Sequence, residues 1–440
     1  MTSAPRLNLF DATMIVMGGV VGVGIFFNPH AVAEALPHPG LFLAAWVLGG
    51  LIVINGALTF AELGASLPHA GGWYVFLREA FGPFVAFLFA WVVLCAISSG
   101  AISVMMSIAV TSLHGLVPGI GPSGSGSSQV AGAILLAAIT GLSMLGVKAG
   151  ATFQNACMLI KLAAIGAMAA GAWLVFDGPP PGAIAHAPIP DQLGSRMLQA
   201  MLPVLFSCGG WQLLCYIAPQ VKDPQKTLPR AVILGVGGVV VVYLAINMAY
   251  LRVLGVDGLR ADVGFANEMA RRTLGGTGGE ILRAAMGISA LGVVTVTIIA
   301  TPWLYVAMAK EGLFFKRFEH LHSRTGAPIL ALGVQLVLCL AYWFWARAGV
   351  VADSVVFVEW IFHALAALAL LTLRKRRPDL PRPFKSPLYP MAPILYFLLA
   401  ATLVIGTLWR ADARQVGIGL SVIAVGAVVY RPWRWLVARA

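Results

Sequence analysis

The sequence predicts an all-α integral membrane protein with about twelve transmembrane helices, and three observations predict it. Of 440 residues, 59% are hydrophobic and only 10% are charged, whereas a soluble chain carries about a quarter charged residues. The mean hydropathy is +0.88. Apolar, charge-poor runs recur along the whole chain, so one polytopic domain fits better than a soluble domain on an anchor.

Crossing roughly 30 Å of hydrocarbon takes about 20 apolar residues. Twelve runs have that character: 9–35, 41–63, 83–113, 130–147, 151–176, 197–219, 229–252, 281–309, 328–347, 351–373, 389–409 and 415–436. The segment before the first run is short, carries only Arg6 and leads into a run too long for a signal h-region. No cleavable signal peptide is therefore expected.

The loops orient the spans. With the N-terminus inside, nineteen of the 29 basic residues fall in inner segments and nine in outer ones, leaving Lys161 alone in a span. That bias predicts both termini in the cytoplasm and the chain in the cell (inner) membrane. The net charge of +12 then suits an anionic lipid face, and no nucleic acid partner is expected. The outer 253–280 loop is rich in Arg, but Asp257, Asp262, Glu268 and Glu280 offset it, and "FANEMARRTL" predicts a short surface helix. "PGIGPSGSGSS" (118–128) reads as a flexible link and "DGPPPGAIAHAPIPD" (177–191) as a stiffer one.

All five cysteines lie in apolar segments without metal-ligand spacing, so no metal, cofactor or disulfide is expected. The eight histidines are scattered, with no HExxH or paired DxxD pattern, which argues against an integral-membrane enzyme.

The first span carries "MGGVVGVGIFFNP" (17–29), which crowds four glycines before Pro29. Gly18 and Gly22 have the spacing of a close helix contact. The alternative is an unwound stretch, tolerated in a membrane only where backbone is buried in protein or lines a cavity. The sixth span favours the second reading. "FSCGGWQLLCYIAPQ" (206–220) holds Gly209–Gly210 in its middle, with Pro203 and Pro219 near its ends. Paired interruptions at corresponding positions of two repeats point to a transporter site near the midplane. Unwinding frees N–H groups on one half-helix and C=O groups on the other. The first attract a carboxylate and the second accept from an ammonium. A zwitterionic α-amino acid presents both groups on one carbon.

Four ordered motifs carry a resemblance over nearly the whole chain. "GGVVGVGIFFNP" and "FAELGASLPHAGGWYVFLREAFGP" (60–83) resemble motifs of the amino acid–polyamine–organocation superfamily. "LFSCGGWQLLCYIAPQVKDPQKTLPRA" (205–231) and "LRKRRPDLPRPFKSPLYP" (373–390) are similar to segments of its L-type amino acid transporter family. The resemblance implies the LeuT-type fold: an inverted 5+5 repeat, about 9–176 and 197–373, with discontinuous helices 1 and 6, two further helices at 389–436, and alternating access.

Residue by residue, the resemblance implies that Gly22, Val23 and Gly24 offer N–H groups to the substrate carboxylate. Val20, Val21, Phe206 and Gly209 would offer carbonyls to the ammonium. Ser207 and Cys208 complete the second break, Phe206 would be the outer aromatic gate, and Trp211 would lie near the side-chain pocket. The chain departs from the family at Val23, at Cys208 and at Pro302–Trp303, where a Ser–Arg pair is usual.

A lysine centred in a span costs roughly 2.5–3.5 kcal/mol on insertion scales, so Lys161 should face protein; snorkelling to the inner surface is the alternative. The resemblance implies that it bridges span one to span eight beside Thr297 and Thr301, replacing a sodium ion or coupling to protons. Glu62 is assigned to the inner structure. Glu359 and His363 read as an interhelical hydrogen-bonding or gating pair, and Asn55, Asn155 and Asn247 as interhelical contacts. No acid or arginine falls in the pocket segments, so small neutral amino acids are the expected substrate. Sodium-independent exchange is the expected mode, with proton-coupled symport or export as alternatives. The outer loop between spans three and four has no cysteine, so an accessory subunit is not expected.

Overall fold

The computed structural model describes residues 6–177, 189, 191–345, 348–410 and 413–439. Among them the extended pairing is a single isolated bridge, Leu7 to Val221; the regular structure is helical. The chain runs through α1 (Leu9–Val20), α2 (Asn28–Ala35), α3 (Pro39–Ser66), α4 (Trp73–Phe81), α5 (Pro83–Val92) and α6 (Ser98–Leu113). It continues through α7 (Gly126–Met144), α8 (Val147–Leu174), α9 (Leu193–Ser207), α10 (Leu213–Tyr216), α11 (Pro224–Ala261) and α12 (Phe265–Leu274). It ends with α13 (Gly278–Ala300), α14 (Pro302–Lys310), α15 (Ile329–Trp345), α16 (Ala348–Arg376), α17 (Met391–Arg410) and α18 (Ala413–Arg439).

Helix occupies each of the twelve apolar runs. Among the described residues, eight helical stretches are long and apolar enough to cross a membrane, and α1 and α15 are apolar but shorter. Large apolar side chains stay exposed on these helices: Trp345 and Trp409 are each 85% exposed and Leu174 is 81% exposed. Such an exterior needs lipid around it. The chain is a multi-pass membrane protein.

Local chemistry sets the boundaries. Asn8 and Asp11 form a reciprocal capping box that starts α1. Proline stands in the first turn of α2, α3, α5, α11 and α14, where its missing N–H costs nothing. Pro29 thus begins a helix after the glycine-rich stretch. Ser125 caps α7, so the last residues of the Gly/Ser stretch are helical and not a link. Most of the proline-rich 177–191 stretch lies outside the described residues. The 253–280 loop does hold a helix, α12, which buries Phe265 and Met269 and pairs Arg272 with Glu268 at 2.7 Å. Gly255, at φ +67°, kinks α11 just past the predicted end of its span, and a second helical stretch continues to Ala261.

α1 sits centrally, against α8, α11 and α13, while α3 packs on α11 and α16 on α17. Gly18 and Gly19 allow this: a Cβ at Gly18 would strike the Gln154 amide, and one at Gly19 would lie 2.8 Å from Gly210 O. The close-contact reading of the glycine cluster is therefore right for its first half.

The face rich in basic residues is tied shut. Leu7 N donates to Gln220 O and Lys222 N to Leu7 O, both at 2.9 Å. Buried Asp11 accepts from Lys148 at 2.7 Å and Asn155 at 2.9 Å. Glu62 takes a bidentate bond from Arg374 at 2.7 and 2.6 Å and the Ser386 N–H at 2.6 Å, so its structural assignment holds. Arg78 on α4 pairs with Glu79 and with Glu311 after α14, and Arg377 reaches Glu79 at 3.2 Å. The Arg78 guanidinium holds the Glu79 carboxyl below its ordinary value. Of the polar residues assigned to interhelical contacts, Asn155 makes one, whereas Asn247 returns its amide to Tyr243 O of its own helix at 2.8 Å.

Candidate substrate site

α1 stops because Val21, at φ −71° and ψ 82°, makes an inverse γ-turn in which Gly22 N donates to Val20 O at 2.7 Å. A short 3₁₀ turn, Gly24–Phe26, then leads into α2. Among the described residues the N–H groups of Val23, Gly24 and Ile25 find no acceptor. They are the open, positive end of a helical turn.

α9 stops at Ser207, and Gly210 takes φ +107°, which a side chain would strain. The Gln212 side chain accepts the Gly210 N–H at 3.0 Å. A Cβ at Gly210 would collide with the Gly19 carbonyl, so the two breaks cross backbone to backbone. Two side chains fix the crossing. Asn28 donates to Ser207 Oγ at 2.7 Å and Pro203 O at 3.1 Å. Tyr243 Oη of α11 lies 3.1 Å from Val20 O and 2.9 Å from Ser207 O, one carbonyl from each break.

Beside the crossing lies a cavity of about 180 Å³. Its walls are the two breaks, the π-turn Val93–Ile97 that joins α5 to α6, α13 and α16. The π-turn aims Val93, Ile97 and Ser98 inward, a common use of such turns at working sites.

Seven of the ten predicted substrate residues line this cavity: Val20, Gly22, Val23, Gly24, Phe206, Ser207 and Gly209. Phe206, the expected gate, is 47% exposed beside it. The other three do not line it. Val21 turns its carbonyl to Lys161 Nζ at 2.6 Å. Cys208, just past the end of α9, is buried and is not on the cavity wall. Trp211 packs edge-on against Phe60 at 4.9 Å and lies 5.9 Å from His363. Two backbone assignments also change: the Gly22 N–H is used in the γ-turn, and Val20 O already accepts from Gly22 and Tyr243.

Lys161 is 1% exposed, so it faces protein and does not snorkel. It bridges to span one as expected. On the span-eight side its neighbours are Gly292, where a Cβ would lie 3.2 Å from Nζ, and Ser289, which shares Val21 O at 3.4 Å. The hydroxyls of Thr297 and Thr301 go elsewhere, to Val293 O at 2.9 Å and Ser98 Oγ at 3.1 Å; Thr297 also borders the cavity.

One expectation fails outright. An acid does reach the cavity, because α16 presents Glu359 and His363 on its wall. They do not bond each other: Glu359 accepts from Gln212 at 2.8 Å, and His363 Nδ1 pairs with Tyr396 Oη at 2.7 Å. The rings of Trp73, Trp211 and Trp360 surround His363. Gln212 and Tyr243 went unread because an amide and a phenol have no sequence periodicity that reveals a partner; only their place beside a break does.

A multi-pass protein whose two interrupted helices cross beside a cavity has the build of a membrane transporter. The chain belongs to the amino acid permease family, whose pattern matches residues 7–430, and it is an amino acid transporter of that family. It is similar to the Serine/threonine exchanger SteT of Bacillus subtilis (strain 168), 29% identical over 97% of this chain and 96% of that one. It is 30% identical to the mouse Large neutral amino acids transporter small subunit 2, over 97% of this chain and 80% of the relative. It is 28% identical to the human Asc-type amino acid transporter 1, over 97% and 81%. These relatives are transporters and an exchanger, and the chain is not an enzyme.

Proposed function

We propose that this transporter moves small neutral L-amino acids by alternating access, as a sodium-independent exchanger. The observation that carries the reading is the pair of broken helices whose loose ends meet on one cavity. The free amides of Val23, Gly24 and Ile25 receive the substrate carboxylate. The carbonyl of Gly209, just past the end of α9, meets the ammonium, with that of Phe206, which also accepts the Gly209 N–H at 3.4 Å, beside it. Phe206 closes over the site.

The breaks fall in the first member of each proposed repeat, about 9–176 and 197–373, with α17 and α18 as the two added helices. Taking α1 with α2, α5 with α6, α9 with α10 and α13 with α14 as single spans, and leaving the short α4 and α12 outside the count, gives twelve. The basic face is cytoplasmic, with both termini there and the chain in the inner membrane. A lysine ammonium at Val21 O supports sodium independence, because it supplies a fixed positive charge at the break. Glu359 repels acidic substrates, and the substrates named for the relatives support a neutral one. No accessory subunit is needed.

Counterflow in proteoliposomes tests this reading. Tracer alanine uptake should require internal amino acid and stay unchanged when choline replaces sodium. Uptake that needs sodium, or that proceeds equally without internal substrate, overturns it.

A further inference from the structure

We propose that Glu359, held by Gln212, reads the substrate's side chain, and that this side chain carries a hydrogen-bond donor. The proposal rests on the transport function proposed above and names the substrate class of the same site.

The geometry fixes the direction of each bond. Gln212 Oε1 accepts the Gly210 N–H at 3.0 Å, so its other end is the NH₂ group. That NH₂ donates to Glu359 Oε1 at 2.8 Å. Glu359 Oε1 therefore acts as an acceptor, which anchors the carboxyl through Gln212 to the break that shapes the cavity. Its second oxygen, Oε2, has no hydrogen-bond partner among the described residues, and Glu359 borders the cavity. His363, one turn away on the same wall, has its Nδ1 engaged by Tyr396.

Most of the remaining wall is apolar, with Val23, Val93, Ile97, Met105, Leu213 and Val293. A bound substrate displaces water from this wall. An alkyl side chain would then leave Oε2 dry and unpaired, which is costly for a carboxylate. A hydroxyl or an amine replaces the lost water with a donor. The free amides of the first break come from a different wall, so one amino acid can place its carboxylate there while its side chain meets Glu359.

Threonine and valine test this directly, because they differ only by a hydroxyl in place of a methyl. In alanine counterflow, threonine should compete at about one-tenth the concentration of valine, or less, since a site built around a donor rejects the isostere that lacks it. Serine against 2-aminobutyrate repeats the comparison, and 2,4-diaminobutyrate tests whether an ammonium serves better than a hydroxyl. In Glu359→Gln the threonine preference should shrink, and in Glu359→Leu it should vanish or invert. Ligand-induced shifts in melting temperature give the same ratios for variants too slow to transport.

Valine competing as well as threonine in the unaltered protein overturns the proposal. So does a ratio that neither substitution changes. Counterflow by no amino acid at all removes the transport reading, and this subsite with it. Counterflow with an unchanged ratio removes the subsite alone.

Discussion

The ammonium of Lys161 lies 2.6 Å from the carbonyl oxygen of Val21, inside the break of the first membrane helix. Ser289 at 3.4 Å is the carbonyl's other partner. Lys161→Ala leaves a buried carbonyl with one long bond, a loss of about 1–3 kcal/mol, and should cut counterflow by tenfold or more at about that energy. Melting and transport of the purified variant check both effects. Gly292→Ala approaches from the other side, pressing a methyl against Gln154 and the Lys161 ammonium, and should lower transport in the same direction.

Gly210→Ala should be strongly damaging. The residue sits at φ +107°, and its Cβ would enter the Gly19 backbone. Strain of about 1–3 kcal/mol adds to the clash. Gly24→Ala is milder, because its methyl meets the Ser207 hydroxyl at 2.9 Å and that side chain can turn away. Expression and melting temperature should rank the two in that order.

Tyr243→Phe removes a hydroxyl that serves both breaks. The phenyl ring still fills the space, so the cost is the hydrogen bonding alone, about 1–2 kcal/mol. A weaker apparent affinity for alanine is expected, with folding intact. Unchanged affinity would mean that the crossing holds without the phenol.

The basic face should loosen in acid. Glu79 is held below the ordinary carboxylate value of 4.5 by its bond to Arg78. Its stabilisation is complete above that value and fades as pH falls through the lowered one. A cysteine replacing Ser66, which lines the cavity beside Arg78 and Glu311, should label faster in that acid range with an acid-active pyridyl disulfide, relative to a fully exposed cysteine at the same pH. Glu79→Gln should label as fast at neutral pH, and insensitivity to both changes would dismiss the network as a closure.

Much of the frame was legible because lipid imposes simple rules. Charge-poor runs located helix in every span, and glycine and proline marked both breaks. Seven backbone or near-backbone positions around them line the cavity, since a broken helix exposes whatever residues it contains. What escaped depends on side-chain direction. Cys208 and Trp211 lie within the second break yet point away from the cavity, and the turn at Val21 swings its carbonyl to Lys161. Glu359 reads in the sequence as an interhelical or gating partner of His363, because nothing in a sequence says which neighbour α16 faces. Thr297 and Thr301 share a helix face with correct spacing, but Thr297 returns its hydroxyl to its own helix and Thr301 pairs with Ser98 of α6.

The bridge between Leu7 and Val221 has a mechanical consequence. It joins the segment before the first broken span to the segment after the second through a few peptide bonds' worth of pairing. Such a latch can peel open without unwinding any membrane helix, because its release disturbs only a flank of the chain. Under alternating access, passage toward that side would need only this latch to release, with the crossing of Gly19 and Gly210 left in place.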